Sequence, residues 1–260
     1  MNGPRIIIIT VVLNDEAGLN STIKSVAGQT YKETEFIIVD GGSSDNTVSL
    51  IKDNQKIVSA WISERDHGIY DAMNKGVLMA GSGYICFMNA GDEFYTQHTV
   101  ADVAASLGAY DPDVLYGNVE VRYDDGFKRE VQAGDLRNLW RGMCFSHQAM
   151  FIKSDVMKRF LYNANNFIAA DYELICHLVS MGCKFLKVDD IIARVRSGGV
   201  SDVQRMRSVA GHWRVARSFW PGCKTDVYYI LKLMDTAIRV GIHRILPAHL
   251  CASLIRFKYR

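Results

Sequence analysis

No CxxC pair and no regular cysteine spacing occurs among the six cysteines of this 260-residue sequence. Cys86, Cys144, Cys176, Cys183, Cys223 and Cys251 therefore offer no zinc framework. Several sit in apolar runs, where a thiol acts as a small hydrophobe, and a reducing compartment is the expectation. Also missing is any uncharged apolar run near the ~20 residues of a membrane-spanning helix. The run Ile6–Ile9 is too short even for a signal segment. Neither the P-loop ending GKS/T nor GxGxxG is present, no serine or cysteine nucleophile motif stands out, and there is no internal repeat or low-complexity tract. Acid is scarce late in the chain. From Val200 to Arg260, 11 Lys and Arg face three Asp, a balance of +8, so the first 199 residues carry −6. Two readings stay open for that basic tail: a face for an anionic surface, or solvated helix faces packed on the rest of the protein or on a second subunit.

What remains is ordinary globular material, with 48% hydrophobic and 22% charged residues, enough for one catalytic body and an appendage. Apolar runs at Arg5–Leu13, Glu35–Val39, Ser59–Ser63 and Tyr84–Met88 read as strands. Helical patterns at Ala17–Ala27, Thr47–Asn54 (capped by Ser44 or Asp45) and Tyr70–Ala80 lie between them. This alternation predicts βαβ units and a mostly parallel sheet flanked by helices. Val114–Tyr123 and Phe127–Val131 flank Asp-Asp-Gly and predict a hairpin. A strand at Ala149–Ile152, a helix at Asp171–Met181 and a strand near Phe185–Val188 follow. After Gly198 the pattern is helical and basic, broken at Pro221-Gly222 and again at Pro247.

A parallel sheet binds ligands at the carboxyl ends of its strands. Three successive strand ends here carry Asn14, Asp40 and Asp92. Asp40 precedes Gly41-Gly42, which is either a nucleotide loop or an ordinary turn with a capping acid. Asp71, Asn74 and Lys75 share a helix face with Asp66 nearby, as a ligand cleft or as a solvated face. Asp92 suits a divalent cation bridging two phosphates, since magnesium and manganese take carboxylate and phosphate oxygens. Asp171 and Glu173 open a helix, where acids either complement its dipole or, for Asp171, accept a proton from an attacking hydroxyl. His147 and Gln148 follow an aromatic residue. Gly198, Gly199 and Ser201 form a glycine loop beside Arg194 and Arg196, which could clamp phosphates.

The segments IIIITVVLN, FIIVDGGSSDNT, SERDHGIYDAMNKG, GYICFMNAGDEF, FSHQAMF, AADYELICHL and SGGVS, in that order over residues 6–201, resemble the family 2 inverting glycosyltransferases of the GT-A fold. Within that family the chain looks most like bacterial enzymes of exopolysaccharide or O-antigen synthesis, of the colanic acid type. The resemblance implies an α/β GT-A, Rossmann-like domain over 1–201, with the nucleotide sugar bound by about 1–95 and the acceptor by about 96–201. A basic amphipathic helical region would fill 202–260. It implies donor contacts from Thr10, Val12, Asp40, Asp66, Asp71, Asn74, Asn89 and Gly91. Asp92 would hold Mn2+ or Mg2+, and Asp171 would be the base. His147, Gln148, Arg194, Gly198, Gly199 and Ser201 would line the acceptor and diphosphate side. Two departures stand out: Asn89 replaces the first acid of the family's DxD motif, and Ala170 replaces the acid before the catalytic Asp. The expected partners are a UDP-sugar ahead of GDP- or dTDP-sugars, a polyprenyl-diphosphate-linked saccharide, an anionic membrane surface at the cytoplasmic face, and a second copy of the chain, with no nucleic acid. The rival functions are a non-catalytic sugar-nucleotide or glycan-binding protein and a sugar nucleotidyltransferase. The acidic NDEAGLN after the first strand suits a triphosphate poorly.

Overall fold

The computed structural model describes residues 3–123, 125–198 and 204–245. Strand β1 (Ile6–Val12) is buried along its whole length, as IIIITVV requires of a strand covered on both faces. It pairs in parallel with β2 (Thr34–Asp40) and β4 (Tyr84–Phe87), and β2 pairs in parallel with β3 (Ala60–Ser63). Helices α1 (Glu16–Ala27), α2 (Thr47–Asp53) and α3 (Ile69–Met79) form the crossovers. Asp15 caps α1 by accepting from the Gly18 N–H at 2.9 Å. Asp45 accepts from Thr47 N–H at 3.0 Å and Glu16 N–H at 3.3 Å, tying the starts of α2 and α1 together. At Gly76 a Cβ would stand 2.5 Å from Ile9 Cγ2, so only glycine lets α3 rest directly on β1.

Beyond β4 come β5 (Glu93–Phe94), α4 (Thr99–Tyr110), β6 (Val114–Arg122), β7 (Lys128–Val131), β8 (Met150–Lys153), α5 (Ser154–Arg159), α6 (Ala170–Ser180) and β9 (Phe185–Arg196). One nine-stranded sheet results, ordered β3-β2-β1-β4-β8-β6-β9-β5, with β7 also on β6. From β3 to β4 it is parallel. Farther on, β8 runs antiparallel to β4 and β6, while β6 and β9 are parallel. The class is the α/β, GT-A-like arrangement expected, and the hairpin at β6–β7 forms.

Sequence periodicity stops β9 early, near Val188, because Asp189 and Asp190 break the apolar pattern. The structure carries the strand through an irregularity instead. Its register against β6 shifts between Tyr116 and Asn118. The buried Asn118 amide repairs the break, donating to Asp189 O and accepting from Ala133 N–H, both at 2.7 Å. The two-residue β5 and the alanine-rich α4 carry no strong periodic signal in the sequence.

Two compact units divide the chain: Met1–Gly134 with Phe145–Ser197, and Asp135–Cys144 with Gly198–Arg260. The second unit thus includes an earlier ten-residue excursion as well as the late part of the chain. Its helices are α7 (Arg205–Phe219) and α8 (Cys223–Ile245), parted at Pro221-Gly222. Trp213 Nε1 donates to Asp226 at 2.8 Å, joining them. The excursion holds a 3-10 turn, Leu136–Arg141, whose Trp140 ring meets Tyr228 edge-on at 5.2 Å. Lys232 Nζ donates to Arg141 O at 3.1 Å.

Candidate active site

Parallel pairing sends the ends of β1, β2, β3 and β4 to one edge of the first unit. Asp40 ends β2 and is wholly buried. Its carboxylate accepts from the Ser43 N–H at 3.1 Å, the Gly42 N–H at 3.3 Å, the Ser63 hydroxyl at 2.6 Å and the Ser43 hydroxyl. Asn14, with φ +51°, stitches the neighbouring loop to this one: its N–H donates to Ser43 Oγ at 2.7 Å and its Oδ1 accepts from Ser44 N–H at 2.8 Å. Asp66 lies so close to Gly41 that a Cβ there would meet its Oδ2 at 2.3 Å. The result is a bare glycine turn backed by a fixed carboxylate. Thr10 and Val12 sit beneath it in the core, and Thr10 commits its hydroxyl to Met88 O at 2.6 Å.

On α3, Asp71 accepts from the His67 N–H at 2.9 Å and pairs with Lys75 at 3.5 Å. The His67 N–H and Lys75 hold its carboxyl below the usual range. Asn74 uses both ends of its amide on the backbone of Tyr162, at 2.8 and 2.9 Å. Neither side chain is thus engaged with the glycine turn.

Around the end of β4 the predicted residues converge. Asn89 Nδ2 meets His147 Nε2 at 3.3 Å, and His147 Nδ1 lies 3.6 Å from Asp171 Oδ2 in the first turn of α6. Gln148 Nε2 donates to Asp92 Oδ2 at 3.1 Å. Asp92 is only 6% exposed. Burial lifts its carboxyl to about 6, and Gln148, His147 and Arg196 offset only part of that. Gly91 has φ +92°, and a Cβ on it would come 3.4 Å from Arg196 Cζ.

Arg194 goes elsewhere. Its guanidinium lies 3.3 Å from Glu120 and 4.7 Å from the Tyr95 ring centroid, so it belongs to the β5–β9 edge. Arg196, two residues on, is the cation beside Gly91, and period-two spacing alone could not choose between the two. Gly198 is described with φ +89°, while Gly199 and Ser201 lie outside the described residues. Tyr70 has no signal in the sequence as a site residue, yet its hydroxyl donates to Asp171 Oδ1 at 3.2 Å.

The sequence profile described as Glycosyl transferase family 2 matches residues 7–165, which hold the ends of β1 to β4 with His147 and Gln148, while Asp171 and Arg196 follow the matched stretch. The chain belongs to glycosyl transferase family 2. A glycosyltransferase of PGL/p-HBAD biosynthesis from Mycobacterium bovis is 35% identical over 182 residues, covering 66% of this chain and 69% of that protein. An uncharacterized glycosyltransferase of Mycobacterium tuberculosis is 32% identical over 206 residues, covering 72% and 76%. Among solved structures, a mannosyltransferase from Pyrobaculum calidifontis in complex with GDP-Man and Mn2+ aligns with TM-score 0.65 at 17% identity, over 98% of this chain and 79% of that one. S. aureus TarS 1-349 aligns with TM-score 0.63 at 14% identity, over 83% and 72%. Against the longer TarS chain the coverage is 83% of this chain and 42% of that one. These structural likenesses show the shared fold.

As a family 2 glycosyltransferase, the protein works on a nucleotide sugar. A divalent cation fits the residues at the β4 end. Asn89 Oδ1 is buried and has no hydrogen-bond partner, and Asp92, in the same turn, carries a buried carboxyl whose partners offset only part of its burial. Both are the hard oxygen donors such a cation takes. Among the described residues no group of three or more His, Cys, Asp or Glu side chains could enclose a metal by itself. The protein would supply few ligands, leaving room for phosphate oxygens and water.

Proposed function

We propose that the protein is an inverting transferase. It moves a hexose from a nucleoside-diphosphate sugar, UDP-linked ahead of GDP- or dTDP-linked, to a hydroxyl of a lipid-linked saccharide in bacterial surface polysaccharide of the O-antigen or exopolysaccharide kind. The observation that carries this reading is the chain of contacts at one strand end: Asp171 to His147 at 3.6 Å and His147 to Asn89 at 3.3 Å, with Asp92 held by the adjoining Gln148 at 3.1 Å. A base and a diphosphate-binding edge must be neighbours for an in-line displacement. The acceptor oxygen bonds to the anomeric carbon from one face. The bond from that carbon to the diphosphate breaks on the other, its electron pair leaving with the nucleoside diphosphate, while Asp171 takes the acceptor proton. A bound Mn2+ or Mg2+, held by Asp92 and Asn89, would neutralise charge on the departing diphosphate. The Asp40 carboxylate shapes the glycine turn for the base and ribose, with Asp66 at its rim. Gln148 and Arg196 steady the diphosphate side.

Asp171→Asn tests the base: turnover should fall by about 10²–10⁴-fold with donor affinity nearly unchanged. Thermal shifts with UDP, GDP and dTDP, with and without manganese, identify the base and the metal together. Retained nucleotide binding without transfer or donor hydrolysis, across a panel of acceptors, points to a binding protein instead.

A lipid-linked acceptor places the enzyme on the cytoplasmic membrane face. Among the described residues no helix is long and apolar enough to cross a membrane. Supporting peripheral attachment, α7 carries Arg205, Arg207, Arg214 and Arg217 and no acid. On α8, Val227, Leu231, Met234 and Ile238 are 54–62% exposed along one helical face. The acid-free α7 suits anionic lipid, while α8 intersperses Asp226 and Asp235 with its cations. Binding to phosphatidylglycerol vesicles that falls with salt and with Leu231→Glu supports this role. Dimers in sedimentation with no vesicle binding assign the stripe to a second copy.

A further inference from the structure

We propose that Tyr70 is a positioning residue for Asp171, its hydroxyl holding one carboxylate oxygen so that the other meets the acceptor hydroxyl. The proposal rests on the reading of Asp171 as the base.

Two donors converge on Asp171 Oδ1: the Tyr70 hydroxyl at 3.2 Å and the Tyr172 N–H at 2.8 Å. Rotating the carboxylate would break both. Oδ2 is thereby turned toward His147, on the side where Asn89 and Asp92 close the β4 end. In the transfer step the proton of the acceptor hydroxyl passes to Oδ2 as its oxygen bonds the anomeric carbon, and the anomeric C–O electrons leave with the diphosphate. Tyr70 keeps its own proton throughout.

The phenol is itself held. Tyr70 is nearly buried, and its ring lies 5.2 Å from that of Tyr162. Tyr162 in turn packs 5.6 Å from Phe87, the last residue of β4. Its backbone is clamped at both N–H and C=O by the Asn74 amide. Asn74 and Tyr70 are four residues apart and share a face of α3. Asn74, expected at the donor, thus supports Tyr162, on which the Tyr70 ring packs. Burial and the neighbouring carboxylate push the phenol far above its usual range, so it stays a donor at any working pH.

The test is Tyr70→Phe, which keeps the ring and removes the hydroxyl. Its kcat should fall about tenfold, the worth of one hydrogen bond to a charged group. The donor KM should stay within about twofold, and the acid limb of the kcat profile should move to higher pH, because a carboxylate that loses a donor becomes harder to ionise. A residue that merely filled space would not move that limb. Tyr70→Phe/Asp171→Asn should be no slower than Asp171→Asn alone. Unchanged kcat and acid limb in Tyr70→Phe, beside an inactive Asp171→Asn, overturn the positioning role and leave the base intact. A raised donor KM at normal kcat, or loss of cooperative unfolding, overturns it too. Wild-type turnover in Asp171→Asn removes the base itself, and the proposal with it.

Discussion

Asp40 and Asp92 look alike in the sequence: each follows an apolar strand in a glycine-containing loop. In the folded chain they are opposites. Asp40 is wholly buried yet surrounded by donors, from Gly42 and Ser43 in its own loop and from Ser63 at the end of β3. Asp92 is almost as buried but meets fewer donors, the Gln148 amide and the Arg196 N–H, and burial outweighs them and the nearby His147 and Arg196, so its carboxyl rises to about 6. A satisfied carboxylate builds a turn. An unsatisfied one is a place for a cation. Burial alone does not separate them; the local supply of N–H and O–H groups does.

The sharpest way to break this comparison is Asp92→Asn. Transfer should drop by at least about 10²-fold, as when a group stabilising transition-state charge is removed. The metal-free protein should meanwhile become more stable. The unfolded carboxyl titrates near ~3.9, the folded one at about 6. The folded state therefore holds the proton more tightly, and stability is lost as pH rises through that window. Asparagine removes the loss, so the variant should gain roughly 1–3 kcal/mol above about pH 6 and nothing near about pH 4. Urea melts at the two pH values check this, and equal gains at both refute the burial argument.

Asp40→Ala should do the reverse. It strands buried N–H and hydroxyl donors and should cost about 2–4 kcal/mol, seen as a lower Tm, while kcat at saturating donor changes less than in Asp92→Asn. Gly91→Ala should be milder, since a side chain at φ +92° is strained and crowds Arg196 at 3.4 Å. A loss of about 1–2 kcal/mol is expected, with metal affinity measured by calorimetry weakened alongside. The smallest effect belongs to Arg194→Lys. Arg194 faces Glu120 and Tyr95, so transfer should stay within about threefold of wild type, the scale of a surface ion pair. A large kinetic loss would return Arg194 to the diphosphate.

Much of the architecture was legible because β1, β2 and β4 are short, mostly apolar runs bounded by turns, the pattern a sheet covered on both faces imposes. Asp92 was legible as a strand-end carboxylate, while Asn89, His147, Gln148 and Asp171 were singled out together only through the family resemblance. Three things were not legible. Tyr70 is an aromatic on an amphipathic helix, and nothing in its spacing says that its hydroxyl meets a carboxylate 101 residues away. Asn74 carries the same side chain whether it meets a ligand or a backbone segment. Residues 135–144 look like an ordinary connection, because the helices that claim them come much later.

That late claim has a consequence for biosynthesis. Arg141 and Lys232, joined through a carbonyl, are 91 residues apart. A ribosome adds roughly 5–20 residues per second, so Trp140 and Arg141 wait some 5–20 seconds for α8. During that interval the strands upstream can close, but an aromatic loop dangles without its clasp. Cutting the gene near codon 201 would make the wait permanent, leaving the catalytic unit with an uncovered tryptophan and a reason to aggregate.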